Sequence, residues 1–566
     1  MKRPASRHLL LRAIAIAGLI AALSGVPAFG QTIPDAETLA AGDLELEVLA
    51  TAPDVKDPTA LEVTSDGRVI FAERTGRIKI WHQNDVLVEA GRIGVDSKSG
   101  QCDDCPGLGL DEGGLHGLLL AQDFDQTGHL YVYYSVPNSM GVPPVPPKQP
   151  GARGPAEIEG KFRLSRFTLV GETLDLASEV PILENPAEWL HCCHYGGNME
   201  WLPDGTMLLS VGDDTISSQS GGFGPRDYRF GFEYNNADLT SQNLADRRGK
   251  LLRLDPEDID GDGSYLPPDN PFAGNPDADP YVYAYGFRSN YRFAIDPRTG
   301  RAFVGTVGPD GKNPDPNRGP ASHEEIEEVP PGGGTNHGWP RCIANNIPYN
   351  DYDWQTGQAG APLSCAGMTP ASIWYTYTPS PTSPYVQLGS GGTCDAVMGG
   401  TVYLRPQTGA LRLPPRFDGQ LLWMEWCRGL VISTPIKADG TLDNRPEQVK
   451  VVFGGGASSP VPATAVTPQL RSPIDSTVGP DGALYIAEYA SRNYSSTNSR
   501  ISRITCAGCE PTPADYGGAP VSDPDASLTR AGAIPAPSGS TERWLLLFGL
   551  IVSALVYGLR RNRALS

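Results

Sequence analysis

The segment His194-Tyr195-Gly196-Gly197-Asn198 is the first place where this chain could do chemistry. An imidazole titrates near ~6.5, so His194 suits general-base work at neutral pH. The two glycines beside it would let a flat ligand approach the backbone. A plainer reading is a hydrogen-bonding loop histidine, or, with His191 three residues earlier, half of a metal site. A second segment, Asp258-Ile259-Asp260-Gly261-Asp262-Gly263, has acids at positions 1, 3 and 5 and Gly at 6, with Asp269 at position 12. That is the front half of a calcium loop. Pro267 and Pro268 forbid the exiting helix of an EF-hand, so the choice lies between a calcium-stiffened surface loop and a plain solvated turn.

Ten cysteines fall in near pairs: Cys102/Cys105, Cys192/Cys193, Cys342/Cys365, Cys394/Cys427 and Cys506/Cys509. An even count in an exported chain reads as disulfides, with metal or redox chemistry the alternative for the two C-x-x-C pairs. Neither C-x-x-C is followed by His, so the chain carries no c-type haem attachment.

The elements that must position these residues come as a repeat: an apolar strand, a turn on Asp-Gly or Thr-Gly, then a strand ending in acidic or small polar residues. Copies turn at Asp66-Gly67, Thr127-Gly128, Asp204-Gly205, Thr299-Gly300, Asp418-Gly419 and Asp481-Gly482, the fifth being less regular. A further short strand follows several copies, as in Arg77 to Trp81, Lys250 to Leu254 and Ile501 to Ile504. Six hairpin-plus-outer-strand units predict an all-β, six-bladed propeller over 31–510. Leu44 to Leu49 alternates and predicts a strand that closes the ring with the last blade. Long gaps between turns, the longest from Thr299 to Asp418, predict functional insertions. The abundance of turns agrees with 66 Gly and 53 Pro.

Residues 1–30 read as a signal peptide: Lys2, Arg3, Arg7 and Arg12, an apolar stretch from Leu9 to Leu23, then Ala28-Phe29-Gly30. Residues 511–540 are a Pro/Ser/Gly/Asp-rich linker. Residues 541–566 predict a hydrophobic helix: Trp544 to Leu559 is apolar, about 16 residues against the ~20 of a spanning helix, and Arg560, Arg561 and Arg563 follow. Ile534-Pro535, the apolar run and the arginines together resemble a PEP-CTERM sorting tag. The predicted location is exported: periplasm, outer envelope or secreted, with membrane contact only through this segment. A net charge of −20, with no basic stripe apart from the C-terminal cluster, argues against a nucleic-acid partner.

Several motifs resemble the soluble quinoprotein glucose and aldose sugar dehydrogenases. They are Glu112-Gly113-Gly114-Leu115-His116-Gly117, His194 to Asn198, Val211-Gly212-Asp213-Asp214, Gly249 to Pro256, Tyr283 to Asn290 with Arg288 and Ser289, Gly308-Pro309-Asp310, Glu324-Glu325-Ile326 and Asn336 to Pro340. The resemblance runs from about 45 to 505. It implies pyrroloquinoline quinone (PQQ) and calcium at the top of the channel, a sugar substrate and a separate electron acceptor. It makes His194 the base that takes the proton of the sugar C1 hydroxyl and Arg288 a quinone contact. The Gly308 and Pro309 carbonyls become calcium ligands, and Glu112 and Asp214 polar residues near the cofactor. Ser289 stands where the family usually has Asn. Arg428, in Cys427-Arg428-Gly429, occupies the stretch of a quinone-holding lysine, and Arg471 lies near the last-blade arginines. Cys193 precedes His194 where glucose enzymes carry an orienting Asp. The expected activity is PQQ-dependent oxidation of an aldose; the alternative is a non-catalytic propeller that binds saccharide or protein.

Overall fold

The computed structural model describes residues 44–97, 112–137, 159–188, 193–215, 220–230, 232–257, 264–376, 383–385, 388, 394–454, 470–489 and 498–506. The predicted signal peptide, linker and C-terminal helix lie outside them, as do Cys102, Cys105 and the acidic loop of Asp258, Asp260 and Asp262.

Six four-stranded antiparallel sheets form the body. Their first strands are Pro58–Val63 (blade I), Leu115–Leu120 (II), Met199–Trp201 (III), Ser289–Ile295 (IV), Val397–Tyr403 (V) and Pro473–Val478 (VI). Each first strand touches the first strands of the two neighbouring blades, and blade VI touches blade I, so the ring is closed around a channel. The fourth strand of blade VI comes from the other end of the chain. Glu45–Thr51 pairs antiparallel with Arg500–Thr505, Leu46 opposite Ile504, which is the predicted closure.

Apolar side chains reach a core on both faces of each sheet, which is why many strands read as continuous apolar runs rather than alternating ones. In Val69–Glu73, Val69 and Phe71 pack toward blade VI while Ile70 and Ala72 pack toward blade II. In Met207–Val211, Met207, Leu209 and Val211 face blade II and Leu208 faces blade IV. Six such clusters, one per blade interface, carry the hydrophobic stabilisation. The turn glycines Gly67, Gly205, Gly300, Gly419 and Gly482 all take positive φ, the conformation that favours Gly.

Two insertions depart from the repeat. Residues 212–249 separate the second and third strands of blade III. Residues 330–372 separate the third and fourth strands of blade IV and contain two small hairpins, Cys342–Ile343 with Ile347–Pro348 and Asn350–Asp353 with Gln358–Pro362. The disulfides Cys342–Cys365 and Cys394–Cys427 form as paired from the sequence. Cys193 and Cys506 are also disulfide-bonded; their expected partners Cys192 and Cys509 lie outside the described residues. Among the described residues no helix is long and apolar enough to cross a membrane.

Candidate active site at the upper mouth of the channel

First strands begin, and second strands end, at the same end of the ring, here called upper. Glu112, His194, Arg288 and Arg471 precede first strands, whereas Asp213, Gly308 and Arg428 follow second strands. Antiparallel pairing therefore carries residues from five blades to one mouth.

His194 is held there from two directions. Its backbone N–H donates to Glu112 Oε2 at 2.8 Å, and its Nδ1 lies 2.7 Å from Asp213 Oδ1. Both side chains are buried, His194 at 7 % exposure and Asp213 at 0 %. Asp213 also accepts from Thr215 N–H and Oγ1 at 3.1 and 2.8 Å and from Trp339 Nε1 at 2.7 Å. Burial alone would raise this carboxyl, but the charge and hydrogen bond of His194, then Arg288 and Thr215, outweigh it and hold it below the usual carboxylate range. An ionised carboxylate only accepts, so Nδ1 carries a hydrogen toward Asp213, and Nε2 is the ring nitrogen through which a second proton can come and go. Nε2 makes no hydrogen bond among the described residues.

The backbone here is strained. Cys193 and His194 sit at φ 111° and 71°, and Asp214 at 54°, each at a cost on the order of 1–3 kcal/mol. Gly212 must be glycine, since a Cβ would stand 1.8 Å from the His194 carbonyl oxygen and 3.1 Å from that of Arg288. Arg288 thus meets His194 across Gly212 and Asp213. Its carbonyl accepts the Asp213 N–H at 2.7 Å. Its guanidinium donates to the Val307 carbonyl at 2.8 Å and lies 5.7 Å from the Trp339 ring.

Around this pair, Glu324 accepts the N–H groups of Gly308 (3.2 Å) and Val397 (2.9 Å), anchoring the Gly308-Pro309 segment. Burial, and then the Asp395 and Glu425 charges, push its carboxyl well above the ordinary range. Arg428, on blade V, spends Nε on Glu425 (3.1 Å) and Asp395 (3.4 Å). Its side chain is 2 % exposed, and Nη1 and Nη2 have no hydrogen-bond partner among the described residues. Ser289 is buried at the start of the blade IV first strand, and Arg471 is exposed above blade VI, with Nη1 3.4 Å from the Asn498 carbonyl. The Asp214 carboxylate turns to Arg248 at 3.3 Å, so its neighbour Asp213 is the acid that meets His194.

His116 is no rival base. Its two ring nitrogens face the carbonyls of Gly196 and Glu112, and burial lowers it to about 4. Asp213, Trp339 and Glu324 were missed as site residues, although all three stand inside motifs quoted from the sequence. Among the described residues no group of three His, Cys, Asp or Glu side chains is placed to hold a metal ion.

A closed six-bladed ring with an acid-supported histidine and buried guanidinium groups at one mouth is the architecture of a propeller enzyme. A family profile for glucose/sorbosone dehydrogenase matches residues 55–389, and the chain belongs to that family of sugar dehydrogenases. An uncharacterised protein of Synechocystis is 26 % identical over 345 residues, 60 % of this chain and 68 % of that one. An aldose sugar dehydrogenase of Escherichia coli is 25 % identical over 231 residues, 40 % of this chain and 46 % of that one. The crystal structure of the soluble aldose sugar dehydrogenase of E. coli in its apo form matches with a TM-score of 0.51 at 18 % identity, covering 82 % of this chain and 99 % of that one. An oxidoreductase (glucose dehydrogenase) of Thermus thermophilus matches with a TM-score of 0.50 at 20 % identity, covering 81 % and 99 %. These two likenesses show the fold.

Proposed function

We propose that this protein oxidises an aldose, or a related sugar hydroxyl, with PQQ as oxidant and His194 as general base. One observation carries the reading: the Asp213 carboxylate holds His194 Nδ1, which turns Nε2 to the mouth as the proton-exchanging nitrogen, and the backbone N–H of the same Asp213 donates to the Arg288 carbonyl.

The residues present fit a quinone tricarboxylate. Arg428 offers two buried guanidinium nitrogens that have no partner among the described residues, a demand that a carboxylate meets. Arg288 and Arg471 supply further cations, and Glu112, Asp214 and Ser289 polar neighbours. The Gly308 and Pro309 carbonyls are the oxygen donors that calcium takes. Asp258, Asp260 and Asp262 are proposed for a separate calcium loop.

His194 Nε2 accepts the C1 hydroxyl proton, and Asp213 stabilises the imidazolium that results. Bound among these residues, PQQ would supply the two-electron oxidant for C1, and the sugar would leave as its lactone. The electrons would then go to a separate acceptor, since no C-x-x-C here is followed by His. The paired cysteines and the basic-then-apolar N-terminal sequence support export from the cytoplasm.

The test is to add PQQ and Ca²⁺ to the apo protein and follow dye reduction with a panel of aldoses, while titrating quinone binding separately. Sugar-dependent reduction supports the reading. No quinone uptake overturns it in favour of a non-catalytic propeller that binds saccharide or protein.

A further inference from the structure

The opposite end of the channel, the lower mouth, carries a chamber that the proposed oxidation does not use. First-strand residues of the six blades enclose about 280 Å³ there. Glu62 of blade I, Glu200 of blade III and Asp475 of blade VI line it. Arg292 pairs with Asp475 at 3.2 Å and spends its other N–H groups on carbonyls, among them those of Ile474 (3.2 Å) and His116 (3.0 Å). Three carboxylates against one guanidinium leave two negative charges uncompensated when all are ionised. Burial, and then their mutual charge, push Glu200 up to about 8 and Glu62 well above its ordinary value, and burial raises Asp475 in spite of Arg292.

A further observation turns these acids into a site. Ser476 also lines the chamber, is 7 % exposed, and its Oγ has no hydrogen-bond partner among the described residues. A buried hydroxyl in that state calls for a donor from within the chamber. The wall between the acids is apolar, built from Leu119, Ile295 and Val402. Beside them the Trp201 indole is fixed by its Nε1–H, which donates to the Leu120 carbonyl at 2.8 Å. Among the described residues no three acids converge as ligands of one metal ion. A bare metal, which takes oxygens at about 2.0–2.6 Å, therefore has no cage here. Negative charges set apart on an apolar wall match a cation whose positive charges are also set apart.

We propose that the lower chamber binds a short linear diamine in its diammonium form, with its two ammonium groups on the carboxylates of Glu62, Glu200 and Asp475 and its methylene chain on the apolar wall. Its two positive charges cancel the excess that Arg292 leaves. Each ammonium carries three donors, enough to serve a carboxylate and the Ser476 Oγ together. An ammonium over the indole face gains further attraction. The ligand clasps blades I, III and VI across the axis at the end opposite His194. It therefore stabilises the closed ring by mass action and takes no part in the chemistry of the upper mouth.

The experiment is calorimetry on the full chain, with PQQ and Ca²⁺ present and salt at about 0.15 M to screen exposed carboxylates. The titrants are α,ω-diamines of two to eight carbons, n-butylamine and Mg²⁺. The expected result is one site per chain, tightest for a diamine of intermediate length, and a thermal midpoint that rises with that diamine. At pH 7 its uptake releases protons, because the raised carboxyls ionise as the cation arrives, so the binding heat varies with the ionisation enthalpy of the buffer. Glu200→Gln should weaken the best diamine by about tenfold or more, and Glu62→Gln reads the same loss if that variant fails to fold. Ser476→Ala should weaken it less. No uptake overturns the proposal, as does an affinity that is flat with chain length or equalled by n-butylamine. A heat that ignores the buffer puts the diamine on exposed carboxylates and also overturns it. Uptake of Mg²⁺ that Glu200→Gln abolishes, without uptake of any diamine, makes the chamber a metal site and overturns it as well.

Discussion

At the upper mouth of the channel Asp213 sits among His194, Thr215, Trp339 and Arg288, and its carboxyl is held below the usual range. At the lower mouth Glu62, Glu200 and Asp475 line a cavity of about 280 Å³ together with residues from every blade. There burial, and then the charge of Asp475, push Glu200 up to about 8, and burial followed by Glu200 and Asp475 raises Glu62 well above its ordinary value. Between the two mouths Arg292, 1 % exposed, crosses the channel from blade IV. It donates to the carbonyls of Thr59, His116 and Ile474 on blades I, II and VI and pairs with Asp475 at 3.2 Å. Both ends hold carboxylates withdrawn from water. What separates them is the partners: hydrogen bonds and cations aimed at one acid above, three acids sharing one guanidinium below. Burial by itself makes an acid harder to ionise; the surroundings decide whether it supports a base.

The sharpest way to break this contrast is to neutralise the acid above. Asp213→Asn should lower sugar-dependent dye reduction by ~10²–10⁴-fold, because Nδ1 loses its orienting acceptor, while quinone titration stays as in the parent. The stability effect has a definite sign. A carboxyl depressed in the folded state stabilises above its unfolded pKa, ~3.9, and that contribution fades as pH falls through the folded value. Asp213→Asn should therefore lower the thermal midpoint at pH 7 and converge with the parent in strong acid.

Removing the cation between the mouths comes next. Arg292→Leu leaves Asp475 without its ion pair, at a cost of ~3–5 kcal/mol, visible as a lower urea midpoint. That deficit should grow as pH rises and Asp475 ionises. An unchanged midpoint would mean that Arg292 does not tie the ring across its axis.

The smallest effect belongs to the lower mouth. A carboxyl raised in the folded state favours folding below its unfolded pKa, and that advantage is lost as pH rises through the folded value. Glu200→Gln should thus raise the thermal midpoint by about 1–3 °C at pH 8.5, change nothing at pH 4 and spare activity throughout. A loss of activity would erase the distinction between the mouths.

How legible this was depends on what each residue needs. The Asp-Gly and Thr-Gly turns mark hairpins locally, so the blades and the closing strand at Glu45–Thr51 could be read directly. His194 and Arg288 stand next to strand starts, and topology alone takes them to one mouth. Asp213 and Asp214 are adjacent acids past the end of a strand, and only the fold decides which faces His194. Arg292 in Ser289–Ile295 has the look of a solvent-facing residue, because a channel leaves no local pattern. The insertion over 330–372 folds back to bring Trp339 to Asp213, a contact 126 residues apart that no short-range signal announces.

The most direct measurement is a single turnover. Protein loaded with PQQ and Ca²⁺ is mixed anaerobically with an aldose that the parent oxidises, and the bound quinone's absorbance is followed in the parent and in His194→Ala. The account predicts equal quinone binding in both and a reduction slowed by at least ~10²-fold in the variant. Reduction at the parent rate in His194→Ala would contradict it.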